Sequence, residues 1–269
     1  MLNVSNRIAA VNVLVFDIET VPDVESARRM RNLEGLSDEA IAHLLFAQRR
    51  QESEGRSDFL KYPQHRVVAI AAALRRDDRL NVWSLGDAGD SEADIIRRFF
   101  EGIERYTPTL VSWNGGGFDL PVLHYRALLH GIAAPRYWET GDDDPAFRYN
   151  NYLGRFHWRH TDLMDVLSGY QPRGTAALDE VAGLLGLPGK LGMDGGRVWE
   201  AYRQGRLAEI RQYCETDVLN TYLIFLRFEL MRGRLTGTAH AAECRRLRDY
   251  LRGENKPHFT KFLDAWPAA

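Results

Sequence analysis

Residues 11–16 are almost continuously apolar and run directly into Asp17-Ile18-Glu19. Such a run predicts a strand buried on both faces at the centre of a sheet, ended by Pro22. Side chains alternate along a strand, so Asp17 and Glu19 share one face while Phe16 and Ile18 take the other. Two adjacent carboxylates on a buried strand repel and lose hydration, which is costly unless cations are present. Asp-x-Glu is common on surfaces by chance, and the burial of the preceding strand is what turns the reading toward a metal site.

The rest of the chain supplies a sheet for that strand. Residues 67–74 and 80–85 read as two further strands, a hairpin partner to the first, joined by the charged turn 75–79. Ser91 caps a helix to about Tyr106 with Ile95, Ile96, Phe99, Phe100 and Ile103 as its inner stripe. A short strand over 109–113 breaks into a glycine-rich turn at Asn114, and a helix follows from Asp119 to about His130. Residues 133–152 read as a loop, 155–160 as a short strand, and 162–169 and 175–185 as helices. A long helix is expected over 206–232, and 239–252 reads as the last one. Three antiparallel strands followed by strands alternating with helices make an α/β chain with a mixed sheet of about five strands and helices on both sides.

Residues 23–62 stand apart. A connection of about 40 residues between paired strands exceeds the usual loop. It is highly charged and carries a helix-like pattern at Ile41, Leu44, Leu45 and Ala47 after the cap Ser37. It is either a surface helical excursion or a flap or docking element over a site. The expected organisation is one domain over 1–269, with this insertion and a helical C-terminal extension at 236–269.

Two further carboxylates need explanation. Asp119 follows Asn114-Gly115-Gly116-Gly117-Phe118 at a strand–helix join, where Asp is a good cap and Pro121 suits the first turn; cap and ligand are both open. No Lys-Ser/Thr follows the glycines, which rejects a Walker A loop. Asp217 falls on the inward stripe of the long helix with Leu207, Ile210, Cys214, Thr221 and Phe225. A charge there needs a partner, and no Lys or Arg lies one turn away to supply it. A cation shared with Asp17 and Glu19 meets the need. Tyr213 projects to the same region, one turn before Asp217.

The strings Phe16-Asp17-Ile18-Glu19-Thr20, Asn114-Gly115-Gly116-Gly117-Phe118-Asp119 and Tyr213-Cys214-Glu215-Thr216-Asp217 occur in that order. Together they resemble the DEDD superfamily of 3′→5′ exonucleases, in the subclass with a catalytic tyrosine. The likeness is to the proofreading exonuclease of family-B DNA polymerases and its stand-alone bacterial relatives, and spans roughly 11–232. The sister subclass has His five residues before the last Asp, where this chain has Gln212. The resemblance implies a ribonuclease-H-like fold and two Mg²⁺ or Mn²⁺ ions about 4 Å apart. It implies that Asp17, Glu19 and Asp217 hold the ion that activates water. Asp17 bridges to the second ion, Asp119 lies close by, and Tyr213 orients the water. Oxygen ligands suit such hard cations. Thr20, Asn114, Phe118, Arg173 and Lys190 are candidate substrate contacts, and Trp113 and Phe118 are open to base stacking or to the core.

The expected reaction is metal-dependent hydrolysis of the 3′-terminal phosphodiester of single-stranded DNA, releasing nucleoside 5′-monophosphates in proofreading or repair. With no polymerase-length segment in 269 residues, proofreading would serve a separate polymerase or repair protein. An exoribonuclease and a non-catalytic nucleic-acid-binding module are the alternatives. A formal net charge of −2 excludes binding through bulk positive charge. Cys214 and Cys244 read as packed thiols rather than a disulfide. His157 and His160 lack a third ligand, and Asp162 reads as a helix cap. No signal peptide or membrane span is expected, so the cytoplasm is the default.

Overall fold

The computed structural model describes residues 12–267, so Val11 at the head of the apolar run lies outside the described residues. In chain order the elements are β1 (Val13–Pro22), α1 (Val24–Arg31), α2 (Asp38–Glu52), β2 (His65–Arg76), β3 (Arg79–Ser84), α3 (Glu92–Tyr106), β4 (Thr109–Ser112) and α4 (Asp119–His130). There follow α5 (Pro135–Trp138), β5 (His160–Asp162), α6 (Leu163–Leu167), α7 (Leu178–Leu184), α8 (Val198–Arg203), α9 (Leu207–Met231), α10 (Gly237–Glu254) and α11 (Pro257–Ala265).

The strands form one mixed sheet in the order β3-β2-β1-β4-β5, with β1 antiparallel to β2 and parallel to β4. This is the expected ribonuclease-H-like α/β architecture. The alternation of β1 divides the core. Leu14, Phe16 and Ile18 pack with the α3 stripe and with Leu120 and Leu123 of α4. Val13, Val15 and Val21 pack on the other face with Val218, Tyr222 and Phe225 of α9. Asp17 and Glu19 therefore face α9. The β1–β2 register shifts between Glu19 and Thr20, an irregularity of the kind that re-aims side chains beside sites.

Several local expectations are corrected. The last parallel strand lies at His160–Asp162 rather than 155–160, and only three residues long, it leaves too little pattern to set its place. The 133–152 stretch is no plain loop: Tyr137, Phe147 and Tyr152 are buried in the core, and the Tyr137 and Tyr152 rings stack at 5.6 Å. In α2 the inward residues are Ile41, Ala42 and Leu45, whereas Leu44 is 40% exposed and Ala47 is also exposed. The C-terminal helices are integral to the core, and α11 adds one beyond those expected. Glu243 of α10 pairs with Arg75 of β2 through two bonds of 2.8 and 2.9 Å, both side chains wholly buried.

Residues 23–62 form a small satellite core of Ala27, Ile41, Leu45 and Leu60. Its root is fixed by charge: Arg126 of α4 bonds Asp23 on one side and Glu92 on the other, all three buried. No helix among the described residues is long and apolar enough to cross a membrane.

Candidate active site

The carboxyl ends of β1 and β4 meet the middle of α9, and four carboxylates converge there. Asp17 and Glu19 come from the α9 face of β1, and Asp119 opens α4. Asp217 comes from a stretch of α9 that is buried on every side from Tyr213 to Leu226. The helix has no exposed face there, so the carboxylate points into protein. Glu19, Asp119 and Asp217 are each less than 9% exposed.

The site is held by specific bonds. Asp119 accepts the backbone N–H of Ile18 at 3.1 Å, tying the second acidic string to the first. The glycine loop is gripped by Asp162, which accepts from the N–H of Asn114 and of Gly116, both at 2.9 Å, and caps α6 as expected. Asn114 itself takes the left-handed conformation (φ 62°). Gly115 is required by packing: a Cβ there would lie 2.3 Å from Ser112 Oγ. That internal contact accounts for this glycine. His160 bonds Ser112 (2.8 Å) and His157 bonds Asn151, and among the described residues neither falls in a group of three possible ligand side chains.

Electrostatically the site is strained. Burial first, then Asp119, Glu19 and Asp217, pushes Asp17 well above the usual carboxylate range. Glu19 rises likewise through burial, Asp217 and Asp119, with Lys190 opposing. Burial raises Asp119 to about 7 and Asp217 to about 6, the latter opposed by the Tyr213 hydroxyl and Lys190. The Tyr213 hydroxyl is itself pushed far up by burial and by Asp217, so it stays protonated. Oδ1 of Asp217 is buried and has no hydrogen-bond partner. An unpartnered buried oxygen beside three other destabilised carboxylates fits a divalent cation, which would favour the ionised forms and fill the vacant bond.

One neighbour escaped the sequence reading. Cys214, wholly buried as expected, lies 3.4 Å from both the carbonyl oxygen and Oδ2 of Asp17. Its thiol, with Asp17 and Glu19, brings three possible ligand atoms within 4.8 Å of one another.

The candidate substrate residues divide. Glu19, Thr20, Phe118 and Lys190 line one cleft of about 790 Å³, and Thr20 bonds His65 at 2.8 Å. Lys190 is exposed on the loop after α7, and its charge acts on both Glu19 and Asp217. That loop is anchored by Asn220 of α9, which accepts from the N–H of Gly189 (3.2 Å) and donates to its carbonyl (2.9 Å). Asn114 and Arg173 are not brought to this cleft. Asn114 lines a separate cavity of about 500 Å³, and Arg173 stands exposed on the turn Pro172–Gly174 beside it. Trp113 packs against the core. Tyr213 borders a third cavity of about 650 Å³ together with Arg197, Arg206 and Lys261.

A family model described as a predicted 3′–5′ exonuclease related to the exonuclease domain of PolB matches residues 57–266. The match takes in Asp119, Tyr213 and Asp217 and begins after β1, α1 and α2. The catalytic chain of DNA polymerase epsilon from Schizosaccharomyces pombe is 24% identical over 145 residues, 51% of this chain and 6% of that protein. A DNA polymerase of Pyrococcus glycovorans is 26% identical over 245 residues, 85% of this chain and 30% of the polymerase. DNA polymerase 1 of Sulfolobus acidocaldarius is 39% identical over 64 residues, 22% of this chain and 7% of that one.

Proposed function

The chain belongs to the family of 3′–5′ exonucleases related to the exonuclease domain of PolB, and from that premise we propose that it removes nucleoside 5′-monophosphates from the 3′ end of single-stranded DNA, in proofreading or repair. Exonuclease domains of this family depend on divalent metal. The observation that carries the reading is the buried meeting of Asp17, Glu19, Asp119 and Asp217, with one oxygen of Asp217 unpartnered.

Asp17, Glu19 and Asp217 would hold a divalent cation, with Asp119 close by; Mg²⁺ and Mn²⁺ are the proposed ions, two per site. Bound there, such ions neutralise phosphate charge and lower the pKa of water. The chain's own groups do the rest. Because its hydroxyl stays protonated beside Asp217, Tyr213 orients the attacking water and does not act as its base. Lys190, whose charge reaches Glu19 and Asp217, faces the phosphate. Thr20 and Phe118 contact the terminal nucleotide in the cleft they share with Glu19. A stacked duplex end cannot place its last phosphate in such a cleft without fraying, which gives the preference for single strands.

The test is digestion of matched 5′-labelled DNA and RNA oligonucleotides, single-stranded and blunt duplex, with and without EDTA. Single-stranded DNA should shorten to a ladder, the duplex should resist, and EDTA should stop the reaction. Early release of the 5′ label as a mononucleotide would overturn the polarity, and faster loss of RNA would overturn the choice of DNA. The organisation that accompanies this reading is one catalytic domain over residues 1–269, in which residues 23–62 serve the cleft, with a polymerase or repair protein as a proposed partner.

A further inference from the structure

The cleft that holds Glu19 is walled partly by aromatic residues, of which Phe46 precedes the family match and Phe59 and Phe118 fall within it. Phe46 of α2 lines it, as do Phe59, shortly beyond that helix, and Phe118, the residue before Asp119. Phe59 is 54% exposed, and its ring meets Phe118 edge-on at 5.2 Å between centroids. Behind Phe118 stand His65 at 5.1 Å and Tyr62 at 6.3 Å.

This wall is held in place at both ends. The Tyr62 hydroxyl donates to the carbonyl of Gly117 at 2.6 Å. At the start of α2, Glu39 accepts two bonds from Arg203 of α8, at 2.7 and 2.6 Å. The satellite core beneath it includes Leu60, next to Phe59. The segment therefore presents a fixed aromatic residue to the cleft and leaves it more than half exposed. Beyond its edge contacts with Phe118 and His65, the ring leaves apolar surface in water in the free protein. Beside a site that handles nucleotides, a flat uncovered ring is matched by the face of an unpaired base, because every base offers a π surface.

We propose that Phe59, together with Phe118, stacks the nucleobase of the 3′-terminal nucleotide, so that segment 23–62 is a substrate-binding wall of the site. The inference rests on the nuclease reading above and names the part of the substrate that this wall takes. A terminal paired base is held by its partner strand and by the stack beneath it and cannot enter without fraying, so the wall also contributes to the preference for single strands.

The test is a binding cycle in an Asp17→Asn background, where turnover is removed. Two oligonucleotides are compared, one with a normal 3′-terminal base and one ending in an abasic nucleotide. Phe59→Ala should weaken binding of the normal end by about 5- to 100-fold and leave the abasic end almost unaffected. A 3′-terminal 2-aminopurine should be quenched by the parent protein, less by Phe59→Ala, and again strongly by Phe59→Tyr. Phe59→Leu keeps apolar bulk without a ring; it should behave like the alanine variant and guards against a folding defect. Equal weakening for both ends, or unchanged quenching in the alanine and leucine variants, overturns the proposal. Failure of the nuclease reading is seen separately, as absence of metal-dependent 3′ shortening by the unsubstituted protein.

Discussion

Asp119 accepts the backbone N–H of Ile18, the residue between the two acids of β1, at 3.1 Å. The parallel pairing of β1 with β4 runs only from Val13 to Val15, and β4 stops at Ser112. The Ile18 N–H thus extends past its strand partner, and the carboxylate at the start of α4 takes the place of the missing carbonyl. The residue expected to serve as a cap, a ligand or both also completes the sheet, while its charge acts on Asp17 and Glu19.

This double duty can be separated. Asp119→Asn keeps an acceptor for Ile18 and removes the charge, whereas Asp119→Ala leaves the Ile18 N–H buried and unpaired. Both should lose turnover by orders of magnitude. The alanine variant should be less stable than the asparagine variant by about 1–3 kcal/mol, measured by urea denaturation in EDTA. Equal stabilities would mean that the bond to Ile18 contributes nothing to the fold.

The metal-free protein should also carry a pH signature. Asp119 rises from 3.8 to about 7 and Asp217 from 3.8 to about 6. Across that interval the folded state binds more protons than the unfolded one, so these groups lower stability as pH rises through it. The melting temperature of EDTA-treated protein should carry this falling component, and Asp119→Asn and Asp217→Asn should each flatten the curve. Saturating Mn²⁺, which favours the ionised forms, should reduce the slope in the unsubstituted protein. Parallel curves for all three proteins in EDTA would remove the electrostatic account of the site.

The parts of this site that could be read from sequence are those carried by long or strongly patterned elements. Asp17 and Glu19 follow an apolar run, and Asp217 lies on a helix of seven turns, where a buried charge is conspicuous. Contacts set by tertiary packing were not legible. Cys214 looks like any core thiol until β1 is laid across α9 and brings Asp17 to it. In α2 the pattern at Ile41, Leu44, Leu45 and Ala47 fits a helix, but only contact with Leu60 and Ala27 selects which face turns inward. Helix α8 is six residues long and has no side-chain cap, so neither periodicity nor a start signal reveals it. Yet it supplies Trp199 to the cleft and Arg203 to the wall.

The pair Arg75–Glu243 joins the sheet to α10 far from the chemistry, with both side chains wholly buried. Arg75→Met takes the two-bond partner from a buried carboxylate, which Tyr222 and Arg246 still approach. It should cost about 3–5 kcal/mol, while replacing both partners with apolar residues should recover much of that loss. Cation affinity, measured by calorimetry, should not change in either protein. A shifted affinity would show that α10 communicates with the acidic cluster.

Tyr213 carries the sharpest test of the subclass. Its hydroxyl is buried beside Asp217 and held protonated across the working pH range. If it orients the attacking water, Tyr213→Phe should lower kcat by about 10²–10⁴ with little change in substrate affinity or metal stoichiometry. The loss should be smaller than for Asp17→Ala, because a missing ligand dismantles the site and a missing hydroxyl only frees the water. A purely structural hydroxyl predicts the reverse pattern: stability falls by about 1 kcal/mol and kcat holds. Single-turnover rate and melting temperature, measured on one preparation, separate these outcomes. An unchanged rate with a lowered melting temperature would take Tyr213 out of the catalytic set and leave the four carboxylates in it.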